Sequence, residues 1–232
     1  MKKPNGYIIY DGKSRLNGEH IIAIVTMKSN NVKTGNMASM WIMHKDVRPT
    51  EASKTGDDEA VCGQCPQRHH LGGACYVTLF QAPLQVWKSY HKGNYEMLTD
   101  YSVFEGMRMR FGAYGDPAAL PMDVLVGIKS VVENNTSYTH QWKTTDKELM
   151  TMTMASVDNV TEARQAVDMG YRYFRVTHDE NSLIENEIIC PNYTSDVQCY
   201  DCKLCSGNLS KAKNIVIPVH GAKSKKFIEE EN

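Results

Sequence analysis

The stretch LMTMTMASVDNVTEARQAVDMGYRYFRVT, residues 149–177, decides the fold class. LMTMTMASV has the apolar, extended character of a strand that stops at Ser156 to Asp158. NVTEARQAVDMG then sets Val160, Ala163, Ala166 and Val167 on one helical face, with Gly170 as its stop. YRYFRVT is a second strand, ending at His178-Asp179. Strand, helix and strand joined this tightly call for parallel pairing through a right-handed crossover.

The same grammar extends to both sides. RMRFGAY (108–114) is a strand before Gly115-Asp116-Pro117, and PMDVLVGIKSVVEN (121–134) is a helix with proline in its first turn. SYTHQW, EIIC and KNIVIPV are further strands. Towards the N-terminus YIIY (7–10) and HIIAIVT (20–26) are strands around the turn DGKSRLNGE, and KSNNVKTGN (28–36) is a loop. MASMWIMHK is an apolar run of either type. Pro49 to Asp58 suits a short helix capped by Thr50, VTLF a short strand, and PLQVWKSYHKG a helix closing at Gly93.

The expected class is α/β: a partial or decorated (β/α) barrel with an N-terminal β-rich segment and Cys-rich loops. Residues 1–107 form the β-rich region with a first cysteine knot, and 108–221 the barrel-like region with a second. A charged tail, 222–232, completes what reads as one globular unit.

At 232 residues, 41% apolar and 23% charged, the chain is long enough to bury a core without staples. A formal net charge of −1 excludes a global basic field that would recruit nucleic acid by charge alone. MKKPNGYIIYDGK lacks the apolar core of a signal peptide, and no apolar run nears the ~18 residues of a membrane span. The expectation is a cytoplasmic protein whose thiols stay reduced, with no membrane partner.

Seven cysteines carry the chemistry. Cys62-Gly-Gln-Cys65 and Cys75 form the early knot, and Cys190, Cys199, Cys202 and Cys205 the late one. Reduced thiolates so spaced point to metal or to an iron–sulfur cluster. Three cysteines hold three irons of a [4Fe–4S] cluster and leave the fourth open; alternatively His69 or His70 makes a Cys3His zinc site. The plainer alternative makes Cys75 a buried core residue of ACYVTLF. C-x8-C-x2-C-x2-C favours a cluster over zinc, because zinc sites usually pair two separate C-x2-C units.

In parallel α/β folds function gathers at the carboxyl ends of strands. Those ends are Tyr114 to Asp116, His140 to Trp142, Ser156 to Asp158, Thr177 to Asp179, Cys190 and His220. Asp116, His140 and Arg175 are the catalytic candidates. Arg110 and Arg175, if turned inward, suit an anionic substrate or a cofactor carboxylate. The competing readings are a tight turn at 115–117, a helix cap at Asp158-Asn159 and a core histidine at His140.

Two thiolate knots on a (β/α) scaffold resemble the radical S-adenosylmethionine superfamily. The resemblance implies an open [4Fe–4S] cluster on Cys62, Cys65 and Cys75, an auxiliary cluster on the late four, and S-adenosylmethionine as a second cofactor. It places Gly115 and Asp116 at the cofactor, where Arg110 joins them if it turns inward. The early spacing, C-x2-C-x9-C, differs from that superfamily's C-x3-C-x2-C. The combination of KTG (33–35), CGQCPQR, ACY, RFGAYGDP, YTHQW, CYDCKLC and IPVHG is similar to bacteriophage and plasmid cysteine-rich proteins. That similarity implies a phage setting in a host cytoplasm, with a nucleotide or nucleic acid as partner. Three functions follow as expectations: a radical-SAM-like oxidoreductase or modification enzyme; a non-catalytic cluster protein served by an electron donor; or a zinc-stabilised nucleic-acid-binding module.

Overall fold

A computed structural model describes residues 4–29, 31–208, 212–220 and 224–227. The strands are β1 (Gly6–Lys13), β2 (His20–Thr26), β3 (Ala38–His44), β4 (Glu96–Met97), β5 (Arg108–Tyr114), β6 (Asn134–Thr139), β7 (Met154–Val157), β8 (Tyr173–Thr177), β9 (Glu187–Ile189) and β10 (Asn214–Pro218). The helices are α1 (Pro49–Thr55), α2 (Glu59–Cys62), α3 (Ala82–His91), α4 (Met122–Lys129), α5 (Val160–Asp168), α6 (Pro191–Thr194) and α7 (Cys199–Cys202).

All ten strands join one sheet in the order β4-β1-β2-β3-β5-β6-β7-β8-β10-β9. The β1–β2–β3 meander is antiparallel, and every pairing from β3 through β5, β6, β7, β8, β10 and β9 is parallel. The mixed α/β class is as expected. Closure is not: the sheet is open, with β4 and β9 at its edges. What the expected partial barrel shares with it is the consecutive parallel run β5-β6-β7-β8. The β3–β5 pairing carries the sheet across residues 107 and 108, so the two regions share one framework.

β2 is the most buried strand, with Ile21 to Val25 fully enclosed, because its unbroken apolar run suits a strand covered on both faces. β6 is the opposite case. Its sequence NNTSYT is polar, yet Asn135, Thr136, Ser137 and Thr139 are buried. Asn135 explains how: its Oδ1 accepts from Lys129 Nζ at 2.8 Å and its Nδ2 donates to Met152 O at 2.7 Å.

Helix α5 is capped by Asn159, whose Oδ1 accepts from Glu162 N at 2.8 Å, while Glu162 Oε2 accepts from Asp158 N at 3.0 Å. Ala163 and Ala166 face Ala155, Val157 and Tyr173 of the sheet. Val167, expected on that face, is exposed.

Other elements differ from expectation for local reasons. Arg48, not Thr50, precedes the first turn of α1, with Pro49 inside it and no side-chain cap. VTLF is irregular, α4 stops at Lys129, and β7 begins only at Met154, after a 3-10 turn over Lys147–Thr151. Of the tail, residues 224–227 are described; Phe227 is buried, and His178 Nε2 lies 2.9 Å from its carbonyl. No helix among the described residues is long and apolar enough to cross a membrane.

Candidate metal centre

The early knot begins at the last residue of α2 and wraps over the carboxyl ends of β5, β6 and β7. Its tight turn depends on Gly63, whose φ of 53° places it in the left-handed region. A Cβ there would sit 2.5 Å from Gln141 Oε1, so the position suits glycine on two counts. Gln141 clamps the turn as a backbone mimic: its Nε2 donates to Cys62 O at 3.0 Å and its Oε1 accepts from Gln64 N at 3.2 Å. Arg68 rivets the loop from beneath. Its Nε donates to Asp58 Oδ1 (2.9 Å), Nη1 to Gly63 O (3.0 Å) and Nη2 to Gly56 O (2.7 Å). Arg68 itself is buried. Gln67 closes the far side, its carbonyl accepting from Cys75 N at 2.8 Å and its Nε2 donating to Asp158 Oδ1 at 3.1 Å.

The late knot lies against the sheet beside Tyr138, Phe174 and Ile188, with Cys205 in a small cluster with Met154 and Ile215. Ser137 N donates to Cys205 O at 3.0 Å, and Cys190 N to Val216 O at 2.7 Å. The 31–36 loop is its outer brace. Cys199 N donates to Lys33 O (3.0 Å), Tyr200 N to Thr34 O (3.1 Å) and Gln198 Nε2 to Val32 O (2.8 Å).

Strand β5 spans both knots. At its start Arg108 donates to Tyr200 O at 2.8 Å and lies 4.1 Å over the Tyr200 ring. Midway, Arg110 donates to Tyr76 Oη at 3.0 Å, next in sequence to Cys75, and stands near Cys199. At its end Tyr114 neighbours Cys62 and Cys75. The two knots are therefore neighbours along one strand, separated by a cation.

None of the seven cysteines is in a disulfide. Burial, then the adjacent Cys65 and Cys75, pushes the Cys62 thiol well up. Burial pushes Cys205 up to about 12, against a hydrogen bond with Tyr138, and Cys190, Cys199 and Cys202 add to the rise. Thiols so crowded cannot all ionise unless a cation joins them, a charge that a bound metal would supply. Among the described residues no three His, Cys, Asp or Glu side chains stand close enough together to hold a metal ion as they are. The donors share neighbourhoods without being drawn to ligand distance. Buried polar atoms lacking a hydrogen-bond partner stand at both knots: Tyr114 Oη and His140 Nε2 at the early one, Ser137 Oγ at the late one. Such atoms fit a site completed by a further group.

The other candidates fall into two sets. His140 is at the early knot: Cys65 and Asp158 raise its pKa well above the ordinary value, although burial alone would lower it. Arg110 stands between the knots; burial would lower its pKa, but the Tyr76 and Tyr138 phenols and Cys199 raise it. Asp116 is close but already engaged, its Oδ1 accepting from Ala118 N and its Oδ2 from His140 N, both at 2.9 Å. Burial nevertheless lifts its carboxyl, against these hydrogen bonds and one from Thr139. Gly115 turns its bare face to β3, where a Cβ would sit 2.6 Å from Ile42 O, so packing explains this glycine. Arg175 is not at either knot. It is wholly buried in a two-pronged pair with Glu187, Nε to Oε1 at 2.8 Å and Nη2 to Oε2 at 2.7 Å. His70 is held elsewhere too, its Nδ1 3.0 Å from Lys54 O.

Sequence reasoning did not find Gln141 or Gln67, which shape the early loop, nor Lys33 to Gly35 as the brace of the late one. The signal for the last was present in the Gly-containing KTG, since Gly35 has a φ of 68° and packs against Gln198 and Tyr200. In comparison with known proteins, no family model, no curated protein and no solved structure matches the chain.

Proposed function

We propose that the chain is an iron–sulfur protein with two thiolate-held centres, one on Cys62, Cys65 and Cys75 and one on Cys190, Cys199, Cys202 and Cys205. The observation that carries this reading is the gathering of seven cysteines, none of them in a disulfide, into two neighbourhoods along β5, each beside an unsatisfied buried polar atom. A bound cluster supplies one-electron transfer. The protein's part is to bury the centres, brace their loops and set the Arg110 charge between them. Transfer of electrons without substrate chemistry is the reading these features support best.

A radical-SAM-like reaction on a partial-barrel scaffold is the second reading, favoured by a three-cysteine set at the carboxyl ends of β5, β6 and β7. It draws less support from the segment expected to meet the cofactor, because Asp116 and Gly115 are occupied by the fold itself.

Iron, sulfide and zinc per chain in anaerobically prepared protein test the proposal. About eight irons correspond to two cubanes and about four to one. Zinc without sulfide overturns both iron readings in favour of a zinc-held module. With iron present, reduction beside S-adenosylmethionine separates the remaining two: release of 5′-deoxyadenosine selects the enzyme, and an unchanged cluster spectrum selects the carrier.

A further inference from the structure

We infer that His140 is the fourth protein ligand of the early centre, completing the set Cys62, Cys65 and Cys75. The inference rests on the reading of those cysteines as metal ligands, and it changes what such a centre does.

His140 directly follows β6, and its backbone is pinned by the 2.9 Å hydrogen bond from its N–H to Asp116 Oδ2. Its Nε2 is buried and has no hydrogen-bond partner. The carboxylate facing it, Asp158 Oδ2, stands 3.5 Å away, beyond a good N–H···O bond, and Asp158 Oδ1 is engaged by Gln67. The Cys65 thiol lies beside the same ring. A buried imidazole nitrogen lacking a partner is costly, and a nitrogen that is also next to a metal-binding thiol gains one by ligation.

Alternative nitrogen donors fit less well. His70 is drawn towards Lys54 O, and a side chain at Gly56 would strike its ring. Tyr114 Oη is also buried without a partner, but phenol is a far less common ligand of such centres than imidazole and can serve instead as a hydrogen-bond donor to sulfur. With imidazole in the fourth place, no coordination position remains for a substrate or second cofactor. The early centre then exchanges electrons only, and its mixed ligation sets its potential apart from that of the all-cysteine late centre.

Pulsed electron paramagnetic resonance of the full chain, loaded anaerobically with ferrous iron and sulfide and then reduced, tests this directly. The expected result is a strong nitrogen coupling that changes isotope signature in protein grown on 15N-histidine and is lost in His140→Ala. His140→Cys should restore the iron content without restoring the coupling. Loaded wild-type protein lacking the coupling overturns the assignment, as does His140→Ala retaining it. If His140→Ala does not fold, the isotope experiment on wild type together with His69→Ala and His70→Ala decides the matter, since loss of coupling in either of these overturns it. A chain that takes up no metal at all refutes the reading underneath, an outcome visible in the metal content before any spectrum is recorded.

Discussion

Arg175 shows how far a side chain's chemistry is set by what it already holds. A guanidinium on a strand in an α/β protein invites an anionic ligand, but here both prongs are committed to Glu187 and one also to Ser182 O. With both partners wholly buried, removing one leaves a charge with no compensation. Arg175→Met should cost about 3–5 kcal/mol in urea unfolding, and Arg175→Met/Glu187→Leu should recover much of that loss. A single variant that lost the proposed electron transfer with unchanged stability would restore Arg175 to the functional residues. Gly63 makes the companion case at the early knot. Alanine there is strained, since φ 53° with ψ −131° is a conformation glycine adopts and L side chains rarely do, and it also displaces Gln141. Gly63→Ala should therefore lower both the unfolding midpoint and the metal content, while Gly18→Ala, left-handed but in open space, should leave the metal content unchanged.

At the scale of elements, the extent of α5 was legible from sequence because its signals agree: a capping Asn159, a Glu162 three residues on, small apolar residues at helical spacing and a terminal glycine; its buried face was not fully so, since Val167 is exposed. Asn159→Ala should cost about 1 kcal/mol by thermal unfolding, and replacement of exposed Val167 by Glu should cost almost nothing. β6 was only half legible. Asn134 to Thr136 carry no apolar alternation, and they are strand because Lys129 and Met152 satisfy Asn135 from outside the strand, which no local pattern reveals. The cysteines of both knots were legible by spacing, and the loop character of the early one by its glycines; the short helices α6 and α7 of the late one were not. Their braces were not, since Gln141 lies 79 residues from Cys62 and Val32 lies 166 from Gln198. The openness of the sheet was hidden for the same reason: edge strand β4 is two residues long, below any periodicity that can be read.

Across the whole molecule, the antiparallel end is held by a polar hub at Asp11. Its carboxylate accepts from Lys45 Nζ at 2.8 and 3.1 Å and from Tyr90 Oη at 2.7 Å, and faces His20 Nε2 at 2.6 Å. Burial raises the Asp11 pKa, but these partners outweigh it and leave the group below its ordinary 3.8. A folded pKa below the unfolded one means that the stabilisation is complete above the unfolded value and is lost as pH falls through the folded one. Urea midpoints should therefore drop on acidification below about pH 4, and drop less steeply in Asp11→Asn. Equal slopes for the two proteins would remove the hub from the account.

The brace between residues 31–36 and Cys199 ties an early-made loop to a late-made one. During synthesis the Lys33 and Thr34 carbonyls emerge long before their partners, so closing this contact carries the entropy of a very long chain segment. The late cysteines are thus among the last parts to be fastened. A chain halted shortly before them would lack all four late cysteines and also β10, the strand that joins β9 to the sheet.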